Sequence, residues 1–238
     1  KKETWIPKSK NNHATIKRLR NKYMKSYSLN DLDIKLLKYL NYENGFFVEA
    51  GANDGLSQSN TALYEFDLSW RGLLIEPNKI KCEQAIASRP NSIVENYALV
   101  STSYKEKTTK GDFSETGYGE SLCAMICDVG DYSDDDLSYD KKLRIDGSNI
   151  VEVPCITVQE LVDKHKIKEV DLFSLDVEGY ELDVLNGIDF SLFRPKYYLI
   201  EMNYPKRKEA MLKYMEAKKY KFVEYLSGND GLFIDGNL

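Results

Sequence analysis

Val48-Glu49-Ala50-Gly51-Ala52-Asn53-Asp54-Gly55 closes an apolar run, Phe46-Phe47-Val48, on an acid and then turns through two glycines. A short apolar run, a glycine turn and a helical pattern over 57–66 together read as the start of a βα unit. In an open α/β sheet, ligands lie at the carboxyl ends of the strands near the topological switch point. Gly51 would let backbone approach such a ligand, and the helix that follows offers unpaired N–H groups. No G-K-[ST] follows, so this is not a P-loop, and Asn53 breaks the dinucleotide pattern G-x-G-x-x-G. A tight strand-to-helix turn without any ligand is the plain alternative.

Outward from this turn, strand and helix signals alternate. Gly72–Glu76 reads as a buried strand ended by Pro77, and 79–88 as a helix stopped near Pro90. Ser92–Val100 is a third strand, followed by a helix at Val158–Lys166 and a strand at Val170–Asp176. A helix starts at Tyr180–Leu185, Tyr197–Glu201 is a strand and Pro205–Lys219 is helical. Phe222–Leu226 and Gly231–Ile234 flank a Ser-Gly-Asn-Asp turn and read as a hairpin. Strands separated by helices imply right-handed βαβ units, hence an α/β fold with a doubly wound, mostly parallel sheet and a C-terminal antiparallel hairpin. Upstream, 14–40 has helical spacing, with Asn30 or Asp31 placed to cap its second helix. Residues 101–150 break the rhythm, being rich in Ser, Thr, Gly, Asp and Tyr. A connection that long reads as a substrate-side insertion or a flexible loop. The expected organisation is a basic helical lead-in at 1–41 and one domain at 42–238 that contains this insertion.

Acids recur where the strands end. Glu76 lies 25 residues beyond Gly51 at the end of the next strand, where a carboxylate can accept both hydroxyls of a ribose. It could instead simply cap the turn at Pro77-Asn78. Two strand-end acids beside a glycine turn, without a pyrophosphate clamp, favour S-adenosylmethionine over NAD. Asp176, in Asp171-Leu172-Phe173-Ser174-Leu175-Asp176-Val177-Glu178-Gly179-Tyr180-Glu181, and Glu201, in Ile200-Glu201-Met202-Asn203, would share one rim if their strands are neighbours. Such carboxylates suit a general base or an oxygen-ligand Mg²⁺ or Mn²⁺ site. Glu178 and Glu181 serve equally well as acids favoured by a helix N-terminus.

The chain has 238 residues, 42% hydrophobic and 30% charged, which is the balance of a globular protein with a real core. Its apolar runs have strand length, far short of the roughly 18 residues that cross a bilayer. Residues 1–25 hold nine Lys/Arg against one acid, a net +8, so the remainder carries −13 of the overall −5. A basic arm can favour nucleic acid, but an acidic body opposes a phosphate-tracking groove, which argues against nucleic acid as the partner. Four cysteines (Cys82, Cys123, Cys127, Cys155) show neither C-x-x-C pairs nor zinc spacing, and a reducing, cytoplasmic setting is expected. The chain opens on Lys1 rather than Met, as an excised domain or a processed product would; with the resemblance given below, one domain of a larger glycan-building enzyme is the expectation.

These motifs, with Ser59-Asn60-Thr61, Trp70-Arg71-Gly72-Leu73-Leu74-Ile75-Glu76-Pro77-Asn78, Ile156-Thr157-Val158-Gln159-Glu160-Leu161 and the D-V-E-G-x-E block ending at Glu181, resemble the FkbM family of S-adenosylmethionine-dependent methyltransferases. The resemblance covers roughly residues 45–205 and implies a class I, Rossmann-like methyltransferase fold. It further implies methyl transfer to oxygen, commonly a sugar hydroxyl of a glycan or glycosylated product. Carried over residue by residue, it sets Glu49, Gly51, Asn53, Asp54, Gly55 and Ser59 around the cofactor's methionine and ribose. Glu76 and Pro77 then fall at the ribose, and Asn96 and Ala98 beside adenine. Related sugar O-methyltransferases hold a divalent metal with strand-end carboxylates. The matching positions here are Asp176 and Glu201, with Met202 then Asn203 where those relatives carry a further acid.

His13 and His165 are the only histidines, and His165 sits on a charged helix end, so Asp176 is the expected base. Direct in-line transfer to a hydroxyl oriented by Asp176 is the expected mechanism. Two other classes stand beside it: a non-catalytic binding module of the same fold, and a nucleic-acid methyltransferase reliant on the basic arm. Phe113, Tyr118, Tyr132 and Tyr139 could stack on sugar rings, although 17 tyrosines make that a weak signal.

Overall fold

The computed structural model describes residues 24–112, 125–126, 150–203 and 205–238. In chain order, α1 (Leu32–Leu40) is followed by β1 (Phe46–Ala50), α2 (Ala62–Leu68), β2 (Arg71–Ile75), α3 (Lys79–Ser88) and β3 (Ile93–Glu95). Next come β4 (Ala98–Leu99), β5 (Thr108–Asp112), β6 (Met125–Ile126) and β7 (Ile150–Ile156). The chain then runs through α4 (Val158–Lys164), β8 (Leu172–Leu175), α5 (Glu181–Leu185), β9 (Tyr197–Glu201), α6 (Pro205–Ala217), β10 (Tyr220–Tyr225) and β11 (Asp230–Asp235).

The central sheet has the order β10-β11-β9-β8-β1-β2-β3. β1 lies parallel to β2 and β8, with Glu49 opposite both Leu74 and Ser174. β11 runs antiparallel between β9 and β10, as the expected hairpin requires. From β1 the chain steps outward to β2 and β3, then returns to the other side of β1 for β8 and β9. The order therefore reverses between β1 and β8, and a crevice opens at the carboxyl ends of those strands.

Alternation along the strands divides the core in two. Phe47, Leu74, Leu172 and Leu199 face α1 and α2, packing on Leu36, Leu40, Leu63 and Tyr64. Val48, Leu73, Phe173 and Ile200 face α4, α5 and α6, packing on Leu161, Val184 and Met215. Both faces are covered, which is why these strands read as continuous apolar runs. α1 falls inside the expected lead-in, yet it supplies Leu36 and Leu40 to the core, both fully buried.

Several boundaries moved for physical reasons. The helix expected at 57–66 starts only at Ala62, because side chains take the backbone N–H groups before it. Asp54 accepts from Leu56 and Ser57, and Glu49 accepts from Asn60. The strand expected at 92–100 breaks at Asn96, whose Nδ2 donates to the carbonyls of Glu76 and Pro77. α1 is tied down by Asp33, which accepts from Ser26, Tyr27, Ser28 and Ile34; neither Asn30 nor Asp31 caps it. Part of the 101–150 insertion is strand: β5 pairs antiparallel with β7 and β6, and β4 pairs parallel with β7. Phe113, Tyr118, Tyr132, Tyr139, Cys123, Cys127 and the basic segment 1–23 lie outside the described residues. Among the described residues, no helix is long and apolar enough to cross a membrane.

Candidate active site

The turn after β1 is held against β2. Gly51 and Ala52 donate to the Ile75 carbonyl at 3.0 and 3.2 Å. Gly51 has φ +82, and a Cβ there would collide with the Asp176 carbonyl oxygen. Its glycine is thus required by close approach of the β8 end, a tighter constraint than ligand access. Asn53 also has positive φ, which aims its N–H at Glu76 Oε2, 2.8 Å away. Glu76 Oε1 accepts from Asn78 N at 2.8 Å. Two bonds leave the carboxylate further acceptor capacity for hydroxyl donors. Burial outweighs those bonds and pushes the Glu76 carboxyl up to about 7.

The residues expected around the cofactor divide into two groups. Gly51, Asn53, Glu76 and Pro77 meet at the β1 and β2 ends, and Asn96 clamps the backbone of Glu76 and Pro77 from beside them. Ala98 is buried in β4 opposite Cys155. Asp54 closes its own turn through Leu56 and Ser57. Gly55 has φ +83, and a Cβ there would press on Ser88 and Arg89. Glu49 and Ser59 face inward instead. Glu49 accepts from Ser59 Oγ, Asn60 N and Thr61 Oγ1 and lies 3.5 Å from Arg89 Nη1, so its oxygens are already occupied. Glu49 and Ser59, expected around the cofactor, are thus engaged in holding the loop that follows β1. Sequence patterning misses this hub because its cation, Arg89, sits at the far end of α3.

The second group gathers beyond β8 and β9. Asp176, Glu181 and Glu201 bring carboxylate oxygens within 4.8 Å of one another. Glu178 (φ 55) and Gly179 (φ 104) bend the chain so that Glu181 folds back, accepting from Val177 N at 3.2 Å and Gly179 N at 3.0 Å. Burial raises all three carboxyls; repulsion from Glu201, Glu178 and Glu181 raises Asp176 further, and repulsion from Glu178 and Glu181 raises Glu201, which reaches about 7. Asp176 and Glu201 are hydrogen-bonded to each other. Glu201 Oε2 is buried without a partner. An orphaned carboxylate oxygen beside two more acids is the donor set of a hard cation. Asn203, expected to be the third ligand, accepts on Oδ1 from Asn229 Nδ2 at 2.9 Å, and the third carboxylate grouped with Asp176 and Glu201 is that of Glu181. Its signal in the sequence is the spacing D-x-x-x-x-E, which the acid's fitness for a helix N-terminus concealed.

A sheet reversing between β1 and β8, closed by an antiparallel hairpin strand, is the class I methyltransferase fold. Residues 49–222 match the family model described as the methyltransferase FkbM domain, and the chain belongs to that family. No curated protein matches it at a significant level. Among solved structures it is similar to a TehB-like S-adenosylmethionine-dependent methyltransferase from Corynebacterium glutamicum, with 12% identity and TM-score 0.44 over 94% of this chain and 97% of that one. It is similar also to a precorrin-6y C5,15-methyltransferase from Geobacter metallireducens, with 9% identity and TM-score 0.46 over 89% and 91% of the two chains. A methyltransferase from Geobacter sulfurreducens gives 14% identity and TM-score 0.44 over 96% and 90%. The fold class rests on the strand order itself and not on these distant likenesses.

Proposed function

We propose that this protein transfers a methyl group from S-adenosylmethionine to a hydroxyl oxygen of a sugar, on a glycan or glycosylated product. The observation that carries this reading is the three-carboxylate cluster of Asp176, Glu181 and Glu201, one switch point away from Glu76. The Glu76 carboxylate, pinned by two amides with acceptor capacity left, fits the two hydroxyls of the cofactor's ribose. When bound, the cofactor supplies a methyl group activated on a sulfonium. Everything else falls to the chain's own residues.

A rim of carboxylates suits an acceptor rich in hydroxyl donors and opposes one that carries phosphates. Burial and nearby like charge hold a proton between Asp176 and Glu201 near neutral pH, and Asp176 orients the acceptor and, once that proton is displaced, takes the proton of its hydroxyl. A carboxylate with a raised pKa is the stronger base, but it is still weak against an alcohol. Asp176, Glu181 and Glu201 fit Mg²⁺ or Mn²⁺, and such a cation would lower the pKa of a coordinated hydroxyl. A non-catalytic module has no use for buried like charges, which are costly to maintain without a ligand. The free thiols of Cys82 and Cys155 accord with a reducing compartment such as the cytoplasm.

The test is a methyl-transfer screen over defined mono- and oligosaccharides, with chelator or with added Mg²⁺ or Mn²⁺. A sugar methyl ether formed in the presence of the cation is the expected result. Labelling of proteins or nucleic acids with no labelled carbohydrate contradicts the acceptor class.

A further inference from the structure

Arg89 is fully buried, and none of the chemistry above uses it. Its Nε donates to Glu65 Oε2 at 2.8 Å, and Nη1 to the Gly55 carbonyl at 2.9 Å and Ser59 Oγ at 3.1 Å. Nη2 donates to Thr61 Oγ1 at 3.0 Å, and Glu49 lies 3.5 Å from Nη1. One planar fork thus joins the end of α3 to α2, to β1 and to both ends of the 55–61 segment. Stability alone does not explain it, since well-packed apolar side chains replace buried ion pairs without loss and often with gain. What the fork supplies is register. Glu49, so held, receives the Asn60 N–H at 2.7 Å, and the turn leading into that segment, tied to it by Gly55 N donating to the Ala52 carbonyl, carries Asn53, whose N–H pins Glu76.

We propose that Arg89 is a positioning residue: its buried guanidinium sets the 53–61 segment so that the Asn53 amide and the Glu76 carboxylate are preorganised for the cofactor. The proposal rests on the cofactor reading above. It needs arginine in particular, because lysine keeps the charge but cannot reach acceptors on three sides in one plane.

Arg89→Lys and Thr61→Val test it in the full chain by three readouts: amide hydrogen exchange, S-adenosylhomocysteine affinity by calorimetry, and steady-state kinetics. Losing one or two charge-assisted bonds is expected to speed exchange at Asn53 and Asn60 about tenfold or more in Arg89→Lys, with β8 and β9 still protected. Affinity falls and the cofactor KM rises by about the same factor, while kcat at saturating cofactor stays within about threefold. Thr61→Val, which removes one hydroxyl, shifts both readouts the same way by less, and it carries the test if Arg89→Lys does not fold. Selectively faster exchange supports the positioning role even where the wild-type protein fails to bind S-adenosylhomocysteine, a failure that overturns the cofactor reading instead. Unchanged exchange at Asn53 and Asn60, or faster exchange with unchanged affinity in a binding-competent protein, overturns the proposal. So does a uniform loss of protection across β8 and β9 without a change in KM.

Discussion

Asp176 and Glu76 both end a strand and both hold raised carboxyls, yet they are expected to fail differently. Asp176→Asn keeps the shape and removes the proposed base and cation ligand, so kcat should fall about 100-fold or more while S-adenosylhomocysteine binds as before. Single-turnover methyl transfer with parallel calorimetry checks this; an unchanged kcat removes Asp176 from the chemistry. Glu76 titrates near 7, and hydroxyl donors favour its ionised form. Cofactor binding should therefore release a proton and tighten as pH rises from 6 to 8, visible as a buffer-dependent binding enthalpy. These acids, with Glu201, were legible in the sequence because each sits where an apolar run stops. The occupation of Glu49 was not, since its partners lie 10 to 12 residues on and across α3, beyond any strand or helix period. Glu181 was visible as an acid but not as a member of the cluster, because the left-handed bend at Glu178 and Gly179 has no periodic signature.

At the scale of elements, the βα alternation was legible from apolar run length, and α3 fell where Asn78 and Pro90 bracket it. β5 and β7 were not, because they are short, half-exposed and paired across about 40 intervening residues, so no local pattern marks them. Two elements carry separable expectations. α4 begins with a complete capping box, Thr157 Oγ1 accepting from Glu160 N and Glu160 Oε2 from Thr157 N. Thr157→Ala should cost about 1 kcal/mol in urea unfolding and leave cofactor affinity untouched. The β1–α2 turn is less forgiving. Gly51→Ala adds a side chain at φ +82 against the Asp176 carbonyl. The strain itself costs about 1 kcal/mol or more, and the displaced backbone should also abolish S-adenosylhomocysteine binding. Full binding by a folded Gly51→Ala protein would mean that the turn does not form the cofactor wall.

Across the whole molecule, the net −5 conceals a separation: a +8 segment at residues 1–25, and an acidic body some of whose acids, Glu76, Asp176 and Glu201 among them, gather at the carboxyl ends of the strands. That concentration has a thermodynamic sign. Glu76, Glu201 and Asp176 all have folded pKa values above the unfolded ones, so the native state binds more protons. Their contribution is fully present below the unfolded values, near 4, and is lost as pH rises through about 7. The ligand-free protein should be more stable at pH 5.5 than at pH 8, by a few kcal/mol in all. Added Mg²⁺ or Mn²⁺ should restore stability at pH 8 by compensating the clustered charge. Thermal melts across that range, with and without the cation, check both statements; a melting temperature rising steadily to pH 8 without cation contradicts them.

The central claim is that the rim at the carboxyl ends of β1 and β2 is a cofactor site anchored by Glu76. Calorimetric titration of S-adenosylhomocysteine into the wild-type protein and Glu76→Ala tests it most directly. The expected result is one site per chain, weakened about tenfold or more in Glu76→Ala, from the loss of hydrogen bonds to a charged group. No binding by the folded wild-type protein, or equal binding by both, would contradict it.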